Sequence, residues 1–159
     1  MEVKDKIIRA CKILLARDAQ LFVVDANERS ITHQLAIYLQ EEFPEYNVDC
    51  EYNRVVENPK KMGDFKKRLD SFKKTIDSDD EDAVTVYPDI IVHHRGTLDN
   101  FIVIEAKKTS NKKGDDLDKL KAYKSDLGYR CAFYVKFPVG EDFETFGNDK
   151  IAEYITEIK

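Results

Sequence analysis

Residues 87–108 hold two apolar runs, YPDIIVHH and FIVIEAKK, joined by RGTLDN. Strand-forming residues on both sides of a short glycine-containing turn read as an antiparallel hairpin. Side chains along a strand alternate faces with a period of two. Glu105 and Lys107 therefore share one face, and Ile102, Ile104 and Ala106 point the other way into a core. Asp89, directly after Pro88, then lies across from Glu105 on the neighbouring strand.

The rest of the chain supplies elements to bury this hairpin. Val3, Ile7, Ala10, Cys11, Leu14 and Leu15 recur at helical spacing and predict an N-terminal helix. LFVV (21–24) reads as a short apolar connector or one strand. Asn27 suits the N-cap of a second helix that carries Ile31, Leu35, Tyr38, Leu39 and Phe43 on one face and stops at Pro44. A first core strand is expected over about 47–55, with Val48, Cys50 and Tyr52 alternating against polar neighbours. An insertion over about 57–82 follows, in which Phe65, Leu69, Phe72 and Ile76 form a helical stripe. Beyond the hairpin, DLDKLKAYKSDL predicts a helix with Leu117, Leu120 and Tyr123 on one face. RCAFYVKF (130–137) is a fourth strand, expected to run parallel to the Glu105 strand through a right-handed crossover. NDKIAEYITEIK predicts a closing amphipathic helix with Ile151, Tyr154, Ile155 and Ile158 inward. The expectation is an α/β domain over 1–159, with a mixed sheet flanked by helices in the order αβββαβ.

At 159 residues the chain can bury a core without covalent staples. No 18-residue apolar run exists, so no membrane span is expected. Cys11, Cys50 and Cys131 lie far apart in apolar segments, which suits buried free thiols in a cytoplasmic protein better than a disulfide framework or a zinc cluster.

Asp89 and Glu105 offer oxygen ligands of the kind a hard divalent cation, Mg²⁺ or Mn²⁺, prefers. Lys107 would stand beside them to orient water or stabilise charge on a phosphate. In these residues the chain resembles the PD-(D/E)xK nuclease superfamily, and the resemblance spans about 27–137. It implies a restriction-endonuclease-like core, here with an added N-terminal helix, a helical insertion and a C-terminal helix. It also implies a metal-dependent nuclease that hydrolyses phosphodiester bonds, most readily in DNA, in defence or in repair and recombination. Asp89 looks like the metal-binding aspartate, Glu105 the second acid and Lys107 the catalytic lysine, with the Ala106 carbonyl a further ligand. Glu28, at the head of its helix, matches a glutamate that reaches the metal in many members; the plainer reading is that it complements the helix dipole. Where some members carry Gln-x-x-x-Tyr, this chain has Lys119 and Tyr123. Partners implied are nucleic acid and either a second copy of the chain or a helicase or specificity subunit.

Other polar residues have two readings each. His93 shares a strand face with Asp89 and is either a support for the site or a histidine satisfied by a neighbour. Ser30 and His33 follow Glu28 and either face the site or lie on a polar helix surface. Glu51, with Asn53 and Arg54, either borders a cleft or forms an edge salt bridge.

The net charge of −5 argues against a protein that simply coats DNA. Positive charge is nonetheless concentrated: 60–74 carries seven basic and two acidic residues, while 77–82 carries five acids. Lys66, Lys67, Arg68, Lys73 and Lys74 are thus candidates for the DNA backbone, with Lys108 in the lysine-rich segment after the hairpin a further one. The alternative to an enzyme is a catalytically inactive module of the same fold that binds nucleic acid or a protein partner.

Overall fold

The computed structural model describes residues 2–52, 54–55, 58–59, 61–62, 84–85, 87–111 and 114–159. Three helices open the chain: α1 (Val3–Arg17), α2 (Ala19–Val23) and α3 (Glu28–Glu42). Five strands form the main sheet: β1 (Asn47–Cys50), β2 (Ile90–His93), β3 (Asn100–Lys108), β4 (Cys131–Phe137) and β5 (Ile155–Glu157). Helix α4 (Asp116–Leu127) connects β3 to β4, and a short α5 (Glu141–Glu144) and a 3₁₀ helix (Asn148–Tyr154) lead into β5. Strand order in the sheet follows chain order, antiparallel throughout except for the parallel β3–β4 pair. The chain is therefore α/β, a five-stranded mixed sheet flanked by helices.

Alternation along β3 divides the interior in two. Ile102, Ile104 and Ala106 join Ile90, Val92, Phe133, Val135 and Phe137 in a large cluster against α1 and α3. Val103 joins Ile91, Ala132, Leu120 and Tyr123 in a smaller cluster beneath α4. Glu105 and Lys107 share the face of Val103, as the period of two requires. The β2–β3 turn closes through His94 N–H to the Asp99 carbonyl, 3.1 Å. Gly96 sits in it at φ 73°, a left-handed value that favours glycine.

The caps explain where the outer elements begin and end. Asn27 accepts a hydrogen bond from the Arg29 N–H at 2.9 Å and so starts α3 as expected. Gly128, at φ 68°, ends α4.

Several expectations are corrected. LFVV belongs mostly to helix α2 rather than to a strand, because Phe22 turns inward and packs on Phe143 and Phe137, with ring centroids 5.4 and 5.7 Å away. The first core strand stops at Cys50, not Val55: Glu51 adopts φ 51°, which breaks the extended backbone. Arg54–Val55 instead pairs with Asn58–Pro59, and Lys61–Met62 pairs with Val84–Thr85. The closing segment is a 3₁₀ helix and a strand, not an α-helix. Tyr, Ile and Thr at 154–156 suit an extended chain, and β4 offers an open edge that Ile155–Glu157 fills. In α4, Leu117 is exposed while Leu120 and Tyr123 are buried. Cys11 alone is a buried thiol; Cys50 is exposed and Cys131 half-buried, and all three are free. The helix expected around Phe65, Leu69, Phe72 and Ile76 lies outside the described residues.

Candidate functional site

The hairpin register brings the two acids together. Ile90 faces Ile104 across the β2–β3 pair, so Asp89, one residue before β2, stands level with Glu105. Asp89 Oδ2 accepts the Ala106 N–H at 2.8 Å, and the Asp89 backbone hydrogen-bonds the Glu105 carboxyl in return. This exchange continues the ladder with side chains where the strand itself has ended.

Both acids resist ionisation. Burial raises Glu105 to about 8, reinforced by the negative charge of Asp89 and opposed by Lys119. Burial raises Asp89 to about 6, opposed by the Ala106 N–H and reinforced by Glu28. Tyr123, at the tyrosine position of the resembled Gln-x-x-x-Tyr pattern, is buried and interacts with Glu105; burial and the charges of Glu105 and Asp89 push its phenol well up.

Two lysines and a further acid complete the pocket. Lys119 Nζ lies 3.7 Å from Glu105 Oε2 and 3.3 Å from Asp116 Oδ1. Burial works against its charge, but Glu105 and Asp116 together raise it above its ordinary value. Lys107 Nζ lies 3.9 Å from Asp116 Oδ2. Sequence reasoning missed Asp116. It opens α4 and reads as an ordinary acid in a first turn, yet it is only 5% exposed. The available signal was the i, i+3 spacing of Asp116 and Lys119, with Lys119 already marked as a departure from the family pattern.

Glu28 reaches the end of β3. Its Oε2 accepts the Lys108 N–H at 3.2 Å and the Asn111 side-chain N–H at 2.7 Å, and its charge acts on Asp89. Lys108 is turned away from the pocket: its Nζ pairs with Asp25 Oδ1 at 2.8 Å and donates to the Ala26 carbonyl at 2.9 Å. It ties the end of β3 to the loop before α3.

The remaining candidates lie elsewhere. His93 is buried, with Nε2 2.8 Å from Asp49 Oδ2, and its ring meets Tyr52 at 4.9 Å, the neighbour-satisfied arrangement. Glu51 pairs with Arg29 at 3.0 Å, while its N–H bonds to the Pro88 and Asp89 carbonyls, so its backbone flanks Asp89. Ser30 and His33 are exposed on α3 and line surface grooves away from the acids. Asn53, Lys66, Lys67, Arg68, Lys73 and Lys74 lie outside the described residues, and of Arg54 only the backbone is described.

The pocket can be tested for its fit to a divalent cation. Glu105 Oε1 and Asp116 Oδ2 are buried and have no hydrogen-bond donor. Among the described residues, Glu28 and Asp116 act on Asp89, Asp89 and Asp116 act on Glu105, and Lys119 opposes both, with Lys107 beside Asp116. Among the described residues no three His, Cys, Asp or Glu side chains converge as a ready-made cage. A donor set of one or two carboxylates, with water filling the other positions, is how Mg²⁺ is usually held. The donors fit such a cation.

Comparison with protein-family models, curated proteins and solved structures finds no match to this chain. No helix among the described residues is long and apolar enough to cross a membrane.

Proposed function

We propose that the chain is a metal-dependent nuclease that hydrolyses phosphodiester bonds, with DNA as the favoured substrate. The observation that carries this reading is the Asp89–Glu105 pair, level across the β2–β3 hairpin, with Asp89 held by the N–H of Ala106, the residue after Glu105. The order of the main-sheet strands and their helices, α3, β1, β2, β3, α4, β4, is compatible with the αβββαβ arrangement of a restriction-endonuclease-like core.

In this reading Asp89, Glu105 and the Ala106 carbonyl would hold Mg²⁺ or Mn²⁺, with Glu28, at the head of α3, a further candidate ligand. The cation would supply Lewis acidity to the scissile phosphate and lower the pKa of water. Lys107, held by Asp116, places its ammonium on a non-bridging phosphate oxygen and stabilises the charge that builds there. Hydrolysis adds water to phosphorus and releases an alkoxide that takes up a proton. Burial of Glu105 beneath α4 strengthens the charge interactions that this acid makes.

The test is cleavage of single-stranded, duplex and branched DNA, and of RNA, in Mg²⁺ or Mn²⁺. Asp89→Asn and Glu105→Gln should each abolish cleavage, and Lys107→Ala should lower it by about 10²–10³, the range for one charge-stabilising group. Binding without cleavage of any substrate in either cation would instead favour the catalytically inactive module. Cleavage undiminished in Glu105→Gln would overturn the proposed role of the acid pair.

A further inference from the structure

We propose that the cavity bounded by β4, β5 and the 3₁₀ helix takes an unpaired base of the substrate, so that the chain favours single-stranded DNA over duplex. The inference rests on the nuclease reading above, because a scissile phosphate at the acids fixes where the neighbouring base falls.

The sheet register connects the two places. In the parallel β3–β4 pair, Glu105 stands level with Tyr134 and Lys107 with Lys136; across the β4–β5 pair, Tyr134 stands level with Thr156. Residues level across a sheet share a face, so Tyr134, Lys136 and Thr156 lie on the face of Glu105 and Lys107. Val103 and Ala132, the preceding level pair on that face, lie in the cluster beneath α4. The rows of Glu105 and Lys107 run on to the carboxyl ends of both strands, where open α/β sheets form their ligand crevices. Neighbouring strands are about 4.8 Å apart, so the backbone of Lys136 is one strand's width from that of Lys107. Burial, then the charges of Asp116, Glu28 and Glu105, raise the Tyr134 phenol above its ordinary value, which places its ring within electrostatic reach of the acids.

The lining suits a base better than a second phosphate. Tyr134, Lys136 and Tyr154 are half-buried walls of the cavity, and the Tyr154 ring is braced edge-on by Phe146 at 5.0 Å. An aromatic face stacks a base of any identity, while a lysine beside it holds the backbone. Asp142 on α5 and Glu153 on the 3₁₀ helix line the same cavity and are exposed. Carboxylates repel a phosphate there but accept from amino groups on the pairing edge of a base. The cavity volume, about 440 Å³, is in the range of sites that hold one small ligand. A base inside a duplex cannot enter, because stacked neighbours cover its faces and its partner engages its edge. The backbone therefore runs from the acids past Lys107 to Lys136, and an unpaired base turns in onto Tyr134.

Fluorescence anisotropy of a short labelled DNA strand of mixed sequence, alone and annealed to its complement, tests this on the full chain in Ca²⁺, which takes the same kind of oxygen ligands as Mg²⁺. Wild type should bind the single strand about tenfold more tightly than the duplex, the scale of one stacked base. Tyr134→Leu, which keeps apolar contact with the cluster beneath α4, should weaken single-strand binding about tenfold and leave duplex binding unchanged. If that variant does not fold, Lys136→Met carries the test: it should weaken single-strand binding and reduce the slope of log affinity against log salt by about 0.7, one phosphate contact on a single strand. Duplex bound as tightly as single strand by wild type, or wild-type affinity for the single strand in the folded variant, would overturn this inference and leave cleavage at the acid pair standing. No binding of either form by wild type would overturn the nuclease reading, and this inference with it.

Discussion

Lys119 Nζ stands 3.7 Å from Glu105 Oε2, yet the lysine does not restore Glu105 to an ordinary acidity. Burial wins, and the carboxyl is pushed up to about 8 from 4.5. A folded state with such a group binds a proton that the unfolded state has released. Stability therefore falls as pH rises from about 4.5 through about 8. Asp89, pushed up to about 6, adds the same trend at the acidic end of that window. Urea unfolding of wild type in chelator should show this decline between pH 5 and 8. Glu105→Gln, which is neutral throughout, should flatten it; a slope unchanged by the substitution would place the titration elsewhere.

His94 should shift stability in the same direction from the far end of the hairpin. Its Nδ1 lies 2.7 Å from Asp99 Oδ2 and its Nε2 2.9 Å from the Glu45 carbonyl. Both partners are acceptors, so only the doubly protonated ring satisfies both. The bond to Asp99 and then the Glu45 carbonyl raise its pKa above the usual 6.5. Its contribution is fully present below the unfolded value and is lost as pH rises through the folded one. The deficit of His94→Gln relative to wild type should be larger at pH 5.5 than at pH 8.5. A histidine titration by NMR that falls below 6.5 would contradict the assignment.

The parts of this fold that a sequence makes legible are those set by local rules. Alternation at 102–107 assigns Glu105 and Lys107 to one face and Ile104 to the other, and the register agrees. Asn27 caps α3 through a bond two residues away. What was not legible depends on distant partners. Ile151, Tyr154, Ile155 and Ile158 do repeat at helical spacing, but the open edge of β4 draws Ile155–Glu157 into the sheet. Asp116 becomes a site residue only because β3 brings Lys107 against it and Glu105 against its helix neighbour Lys119. Lys108 reads as one more exposed lysine until Asp25, eighty-three residues earlier, is brought against it.

That last contact predicts a structural role for Lys108. The side chain is 11% exposed and caps the Ala26 carbonyl as well as pairing with Asp25. Asp25 is 40% exposed, so solvent weakens the pair. A double-mutant cycle with Lys108→Met and Asp25→Asn should give a coupling of about 0.5–1 kcal/mol. Lys108→Met alone should cost more, about 1–2 kcal/mol, because it also strands a carbonyl. A coupling near zero in low salt would show that the lysine is free for another partner.

The end of α4 offers a separate check on the helix that carries Asp116 and Lys119. Gly128 lies at φ 68°, and a Cβ built there meets no atom within 4 Å. Any penalty for a side chain must therefore come from the backbone and not from a clash. The preceding carbonyl, on Leu127, accepts from Asn100 Nδ2 at 2.8 Å, so the chain cannot relax here without breaking a bond to the start of β3. Gly128→Ala should destabilise by about 1 kcal/mol, the cost of an L-residue in the left-handed region less the entropy it removes from the unfolded chain. Gly128→Asn should cost less, because its side chain tolerates that conformation. Equal losses for both in urea unfolding, or a gain from alanine, would mean that the helix ends in another way.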